Sequence, residues 1–432
     1  MIMLRSKTRW LLIGRADWTG KQNPPVDLLL EKLTEVALEI GLGGVDVLMV
    51  RKRYPSGPRV TKLIGEGKMS VYAVDELVTD SKVRFGKRFG ADNTDVAMYA
   101  SSQVVLESLA TLFSLGKRYV AYWLSGYQFV FPMIIGGIDQ SSICWTHNTP
   151  VFADTLRPMA DGILKSYRGI IAAMSDVAVK WWSNLIGGSE HVGYLPYPVP
   201  RLDYVEEVVD EKKVMITSTP MSGSGPDYEM IERVGKKFKV VAVLYRVPEK
   251  ELQSHQSHFD KVCGVGQVEV LGWMQRDTYL KKVMECLVWI SAAPHESFPS
   301  RVAEAVQLVP TVLVRTVLAD GKSNDWVEMF QSCALVINEG EVESVVSSLL
   351  SMDREKIRKI VQRQRVGVSE WSEESFKEHC KRLFERMVKL YTPNAATLKE
   401  ISKVGLDGLT WDIFGKMNLA PRVQAEDLWK KM

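Results

Sequence analysis

Long apolar runs are missing from this chain, and cysteine is scarce. The longest nearly uncharged apolar stretch covers only residues 127–138, whereas a helix that crosses a bilayer needs about 20 apolar residues. The chain has 5 cysteines in 432 residues, widely scattered and without a C-x-x-C pair. These absences lead us to expect a cytoplasmic protein without a membrane-spanning helix, a disulfide framework or a structural zinc site.

Aromatic residues are few in the one strongly basic stretch of the chain. The net charge is only +3, but residues 51–88 contain ten basic and four acidic residues, with only three aromatic residues among them. A groove for single-stranded nucleic acid would interleave more aromatic residues with its cations, so no nucleic acid is expected as a partner. Charge runs of this kind are most often solvated surface. The functional alternative is a patch of Arg84, Lys87 and Arg88 that contacts an anionic partner or, peripherally, the inner face of an anionic membrane.

What the chain does contain is a regular alternation of short apolar strands and amphipathic helices. The alternation begins with a strand at 9–14 and restarts with a strand at 213–218, after a segment with prolines at alternate positions. A proline-rich piece of this kind is a semi-rigid spacer between domains. The pattern predicts an α/β protein with two doubly wound, Rossmann-like domains that face a cleft, and a helical C-terminal extension. The expected parts are residues 1–195, a linker at 196–212, residues 213–352, and helices and a tail at 353–432 that pack back on the body.

A histidine follows one predicted strand of the first domain. His147 comes directly after the apolar strand 143–145 and Thr146. In open α/β sheets, ligands gather at the carboxyl ends of the strands, so His147 lies where a ligand would lie. A hydrogen-bonded loop histidine is an equally good interpretation.

Two glutamates mark a ligand site in the second domain. Glu296 lies on a loop that enters a short helix, and Glu304 lies eight positions later, about two turns along at ~3.6 residues per turn. The first amides of that helix, over residues 297–299, have no intrahelical partners and suit phosphate or sugar oxygens. The alternative interpretations are a helix N-terminal carboxylate for Glu296 and a solvated helix position for Glu304.

This stretch resembles the donor-site signature of GT-B glycosyltransferases of the GT4 type. The matching residues are VEVLGW at 268–273, a strand ending in Pro294, and the two glutamates, which are separated by seven residues in an E-x7-E motif. The similarity covers roughly residues 10–390 and is strongest over 268–337. The setting between two apolar strands makes the motif fairly specific.

The resemblance implies a hexosyl- or related glycosyltransferase that is retaining and metal-independent. Its donor would be a nucleotide-sugar that is UDP-, GDP- or ADP-linked, its acceptor a glycan, lipid or protein, and it would need no cofactor. No D-x-D sequence occurs in the chain. Glu304 would then hydrogen-bond the ribose, and Glu296 the transferred sugar, because carboxylates accept hydroxyl hydrogen bonds. The amides of Ser297 and Phe298 would bind sugar or phosphate oxygens, and His147 would lie near the reacting sugar or the acceptor.

One departure from the family concerns the charge of the donor. The loop at 217–225, TSTPMSGSG, has no basic residue, where the family has basic residues that neutralise the diphosphate. Arg246 and Arg301 are the candidate substitutes, and amides of the loop, at Ser218 and Gly223, could also bind phosphate. The missing cations favour an alternative function, a GT-B-fold protein that has lost catalysis and serves in binding or assembly.

Overall fold

The computed structural model describes residues 9–14, 24–49, 57–73, 111–112, 115, 117, 119–125, 142–146, 170–186, 189–202, 212–218, 226–245, 247–293, 300–316 and 325–390. The chain divides into two compact units. The first unit comprises Met1–Pro198 and Phe376–Met432, and the second comprises Val199–Ser375. Each unit is built around one parallel sheet.

Seven strands form the sheet of the first unit. They are β1 (Arg9–Gly14), β2 (Val45–Met49), β3 (Met69–Ala73), β4 (Tyr119–Ser125), β5 (Ser142–Thr146), β6 (Ile170–Ala173) and β7 (Val192–Tyr194). Their order in the sheet is β3-β2-β1-β4-β5-β6-β7. The described helices between them are α1 (Pro24–Glu39), α2 (Pro58–Gly65) and α3 (Asp176–Ile186).

Six strands form the sheet of the second unit. They are β8 (Lys213–Ser218), β9 (Lys239–Leu244), β10 (Val268–Leu271), β11 (Val288–Ser291), β12 (Thr311–Arg315) and β13 (Leu335–Asn338). Their order is β10-β9-β8-β11-β12-β13. The direction in which strands are added therefore reverses between β8 and β11, and ligands of doubly wound sheets bind outside the carboxyl ends of the strands at such a point.

Helices alternate with these strands. They are α4 (Pro226–Gly235), α5 (Glu249–Cys263), α6 (Arg276–Met284), α7 (Ser300–Ala305), α8 (Val342–Ser351) and α9 (Arg354–Val368). Short 3-10 helices occur at Ser189–His191, Asp325–Phe330, Glu339–Glu341 and Ser369–Trp371.

The two faces of the second sheet carry different helices. Strands covered on both faces are buried along nearly their whole length, as β8 is after Lys213 and as β11 is throughout. Val288 and Ile290 belong to a core cluster with residues of α4, α5 and α8. Trp289, between them, points to the opposite face because strand residues alternate, and there it meets Tyr279 of α6. The candidate site is built on this second face.

The helices at the end of the described chain belong to different units. Helix α9 packs in the second unit, where Arg365 donates a 2.9 Å hydrogen bond to the carbonyl of Gln307. The next helix, α10 (Glu373–Leu390), packs mainly in the first unit: Arg386 donates to the carbonyl of Val192 at 2.8 Å, and Phe384 lies 5.7 Å from Trp10 between ring centres. The predicted class, α/β with two doubly wound domains and C-terminal helices, is confirmed.

Candidate functional site

Three of the predicted site residues lie in the described chain. Ser218, Arg301 and Glu304 belong to the second unit. The others lie outside the described residues, so their roles stay predictions. They are Arg84, Lys87, Arg88, His147, Gly223, Arg246, Glu296, Ser297 and Phe298.

Glu304 is a buried carboxylate. It lies in α7 with Val302, Ala303 and Ala305, which are buried as well, and only 5% of its surface is exposed. It accepts a 2.6 Å hydrogen bond from Nε of Arg276, the first residue of α6. The alternative of a solvated helix position is therefore wrong, because the second half of this short helix is enclosed by the protein.

Burial decides the ionisation of Glu304. Removal from water raises its pKa above the ordinary value of 4.5, and the positive charges of Arg276 and Arg301 oppose that rise. The salt bridge alone would lower the pKa, but the loss of hydration outweighs it for a carboxylate this deeply enclosed. Removing Arg276 would leave a buried carboxylate without its nearest counter-charge, which is strongly unfavourable.

Arg276 is the site residue that sequence reasoning missed. Its Nη2 atom is buried and has no hydrogen-bond partner among the described residues. Arg276 and Glu304 are separated by 28 positions, so no local motif connects them. The one available signal was the position of Arg276 three residues after Trp273 of the GW turn that follows β10, at the carboxyl edge of the sheet.

Arg301 and two tyrosines lie near enough to Glu304 to interact with its charge. The guanidinium carbon of Arg301 lies 4.0 Å from the centre of the Tyr245 ring, within cation–π range. The Tyr245 ring lies 6.4 Å from that of Tyr279. Burial raises the pKa of both phenols, that of Tyr279 by more. Both hydroxyls therefore stay neutral, and the charges that act on Glu304 are those of the Arg276 and Arg301 guanidinium groups and of the Asp277 carboxylate.

The carboxyl ends of the neighbouring strands are tied down by hydrogen bonds. The backbone N–H of Tyr245 donates to the carbonyl of Ser218 at 2.8 Å, and the Ser218 side chain is buried. Past β11, Ala292 donates its N–H to Asp227 at 2.8 Å, and the carbonyl of Ala293 accepts from the Trp326 indole at 2.9 Å. These contacts fix the backbone that leads toward the predicted Glu296 loop.

Within the described ranges, His, Cys, Asp and Glu side chains form no group of three that could hold a metal ion. Of the helices in the same ranges, none is both long and apolar enough to cross a membrane.

No family model matches the chain, and a search of curated proteins found no match. Solved structures do match. Sucrose-phosphate synthase of Thermosynechococcus elongatus is 12% identical with a TM-score of 0.60, over 88% of this chain and 99% of that one. HepE of Anabaena in complex with UDP-glucose is 11% identical with a TM-score of 0.56, over 87% and 99%. A UDP-forming α,α-trehalose-phosphate synthase of Burkholderia xenovorans is 11% identical with a TM-score of 0.57, over 88% and 99%.

These likenesses concern the fold. They extend over 87–88% of this chain and 99% of each matched chain, so they include both α/β units. The chain has the GT-B fold of two parallel α/β domains. At identities near a tenth, the activity has to be argued from the site.

Proposed function

We propose that this chain is a glycosyltransferase that moves a sugar from a nucleotide-sugar donor to an acceptor. The donor binds to the second unit, within the expected domain 213–352, and the acceptor binds to the domain 1–195. The observation that carries the proposal is the buried carboxylate of Glu304, held by Arg276 at the carboxyl side of a doubly wound parallel sheet. A structure of HepE, which has the same fold, contains UDP-glucose, and this supports a nucleotide-sugar as the donor.

Glu304 suits the ribose of such a donor. Its carboxylate accepts one hydrogen bond, from Arg276, and keeps acceptor capacity for hydroxyl groups. In the proposal, Glu296 contacts the transferred sugar, the amides of Ser297 and Phe298 meet sugar or phosphate oxygens, and His147 lies at the reacting end. From the E-x7-E resemblance we also propose that the enzyme is of the GT4 type, retains the anomeric configuration and needs no metal ion.

The donor diphosphate needs a positive charge. The loop at 217–225 offers none, and a departing diphosphate without a cation would lose a large electrostatic stabilisation. Arg301 supports the proposal here, because its guanidinium lies on the Tyr245 ring beside the carboxyl end of β9. Arg246 directly follows Tyr245 in the sequence and is the second choice, together with the amides of Ser218 and Gly223.

The absence of a basic residue in that loop also favours a second function. A GT-B-fold protein without diphosphate-binding cations could bind nucleotide-sugars or partner proteins and catalyse no transfer. Fold alone does not decide between the two functions.

Ligand binding and turnover separate them. The melting temperature of the full chain is measured with UDP-, GDP- and ADP-glucose, and release of the nucleotide is followed in the same samples. The proposal expects one donor to raise the melting temperature and to be turned over, with both effects reduced in Glu296→Ala and Glu304→Ala. Glu328→Ala is the matched control, since Glu328 is also paired with an arginine but is partly exposed. Binding without turnover supports the second function, and no binding of any donor removes the first.

A peripheral contact of the first unit with an anionic membrane is a separate proposal. It assigns Arg84, Lys87 and Arg88 to the contact, on the basis of the basic excess in residues 51–88. Sedimentation with vesicles that contain anionic lipid tests it. Binding that survives Lys87→Glu with Arg88→Glu contradicts the assignment.

A further inference from the structure

Two arginine–glutamate pairs in the second unit use their guanidinium groups differently. Arg315 donates to both oxygens of Glu328, from Nε at 2.7 Å and from Nη2 at 3.3 Å. Arg276 donates to Glu304 from Nε alone, at 2.6 Å. Its Nη2 is buried and has no partner in the described chain. The partly exposed pair therefore makes two hydrogen bonds, whereas the buried pair makes only one. An unmade hydrogen bond costs more in the buried pair.

The planar geometry of the guanidinium group determines the direction of the unused N–H of Arg276. The N–H of Nε and one N–H of Nη2 point the same way, as a planar fork that matches two oxygens side by side. Because Nε donates to Oε1 of Glu304, the unused N–H of Nη2 points to the same side, next to the carboxylate. The other oxygen, Oε2, accepts no hydrogen bond from the described residues. The N–H of Nη2 and the oxygen Oε2 are thus a donor and an acceptor that lie side by side, without a hydrogen-bond partner among the described residues.

This combination selects the kind of group that can fill it. A phosphate would be repelled by the carboxylate, and an ammonium group would be repelled by the guanidinium. Two neighbouring hydroxyls satisfy both positions, because each can donate and accept. We propose that Arg276 and Glu304 together bind the vicinal diol of the donor's ribose. One hydroxyl donates to Oε2 and the other accepts from Nη2, which makes Arg276 a residue that determines specificity for ribose.

The surroundings hold the pair in place. Helix α6, which begins at Arg276, is joined to β11 by the hydrogen bond of 2.9 Å from the Trp289 indole to the Tyr279 hydroxyl. Glu304 is on α7, whose last residues are buried. A binding group needs rigid support of this kind to keep its geometry. The pair is therefore set before the ligand arrives.

The inference rests on the proposed function, and one experiment tests both. The affinities of the full chain for UDP, GDP and ADP are measured by calorimetry. The nucleotide that binds best is then compared with its 2′,3′-dideoxy counterpart in the wild type, in Arg276→Lys and in Arg276→Met. Lysine keeps a charge for Glu304 but cannot occupy both positions of the fork.

We expect the wild type to prefer the ribonucleotide by about a hundredfold or more, since the diol makes two hydrogen bonds to charged groups and each is worth about tenfold or more. Both variants should lower this ratio by about tenfold, because they remove the bond from Nη2 and leave the bond to Glu304 in place. The ratio is taken within one protein sample, so partial unfolding of a variant lowers both affinities alike and leaves the ratio unchanged. Arg315→Lys and Arg315→Met are the matched controls and should keep the wild-type ratio.

Two results would overturn the role of Arg276 and leave the ribose contact of Glu304 standing. An equal loss of affinity for both nucleotides would mark a purely structural pair, and tighter binding by the variants would mark a pair that competes with the ligand. No preference for the ribonucleotide in the wild type would overturn the ribose contacts of both Arg276 and Glu304. If none of UDP, GDP and ADP binds to the wild type, the proposed function falls together with this inference.

Discussion

The hydroxyl of Tyr279 accepts a hydrogen bond of 2.9 Å from the Nε1 atom of Trp289, and both side chains are buried. This bond joins α6 to β11. Burial raises the pKa of Tyr279 well above its ordinary value of 10, so the phenol remains a neutral partner for the indole. Because α6 begins at Arg276, the bond also fixes one side of the candidate site.

Tyr279→Phe removes this bond while it keeps the ring. The indole N–H of Trp289 then stays buried without an acceptor, and we expect the free energy of unfolding to fall by about 1–3 kcal/mol. Urea unfolding of the full chain measures the change. Tyr228→Phe is the control, because the hydroxyl of Tyr228 meets His255 at 3.0 Å in a partly buried contact where water can replace the bond. A change no larger for Tyr279→Phe than for the control would contradict this account.

Glu304→Gln tests the raised pKa of Glu304. The pKa in the folded chain is above the ordinary value of 4.5, so the unfolded chain loses the proton first as the pH rises. Stability associated with this group is present below about pH 4.5 and is lost as the pH rises through the folded pKa. The free energy of unfolding of the wild type, measured relative to Glu304→Gln, should therefore decrease from pH 4 upward. A difference that increases over the same range would show that the salt bridge with Arg276 outweighs burial.

The sheet architecture could be predicted because buried parallel strands appear in the sequence as short, mostly apolar runs. The strand expected at 213–218 is β8 without any shift in its bounds. Glu304 was found from its spacing to Glu296. Its burial was not found, because α7 has only six residues and is too short to show which of its faces is apolar.

Contacts between distant residues were beyond prediction. Arg276 meets Glu304 only because α6 lies next to α7, and neither the periodicity nor the propensity of either helix contains that information. The same limit applies to α9 and α10, which look alike as amphipathic helices. Lys377 and Lys381 of α10 both pair with Glu39 at 2.5 Å, and these partners on α1 hold α10 in the first unit.

The buried thiols of Cys286 and Cys333 should make the second unit sensitive to alkali. Burial raises the pKa of each from 9 to about 12. The unfolded chain releases these protons first, so stability present below pH 9 is lost between about pH 9 and 12. We expect the variant Cys286→Ala with Cys333→Ala to lose less unfolding free energy than the wild type when the pH is raised from 8.5 to 10.5. Equal losses, measured in urea, would contradict the raised values.

Gln307 anchors the segment that enters the second unit. Its side chain is buried, donates to the carbonyl of Pro200 at 3.1 Å and accepts from the N–H of Leu202 at 3.0 Å. Gln307→Ala should therefore speed hydrogen exchange at the Leu202 amide by about tenfold or more, the effect of one lost hydrogen bond of ~1.4 kcal/mol. Amides of β8 should exchange as in the wild type. A uniform increase over the whole unit would instead indicate global destabilisation.

Arg301 is the cation that we propose for the donor diphosphate. Its guanidinium carbon is held 4.0 Å from the centre of the Tyr245 ring, and a charge-assisted contact with a phosphate contributes about 1.5–3 kcal/mol. We expect Arg301→Met to weaken the binding of UDP by about tenfold or more, while binding of uridine, which has no phosphate, stays unchanged. Arg301→Lys should recover part of the loss, because it restores the charge without the planar fork.

Calorimetry with both ligands measures the difference, and Arg315→Met serves as control because Arg315 is already paired through both arms with Glu328. An equal loss for UDP and uridine would mean that Arg301 supports the site through Tyr245. If neither ligand loses affinity, the diphosphate-binding residue is not Arg301. Arg246, which directly follows Tyr245 in the sequence at the end of β9, would then be the candidate.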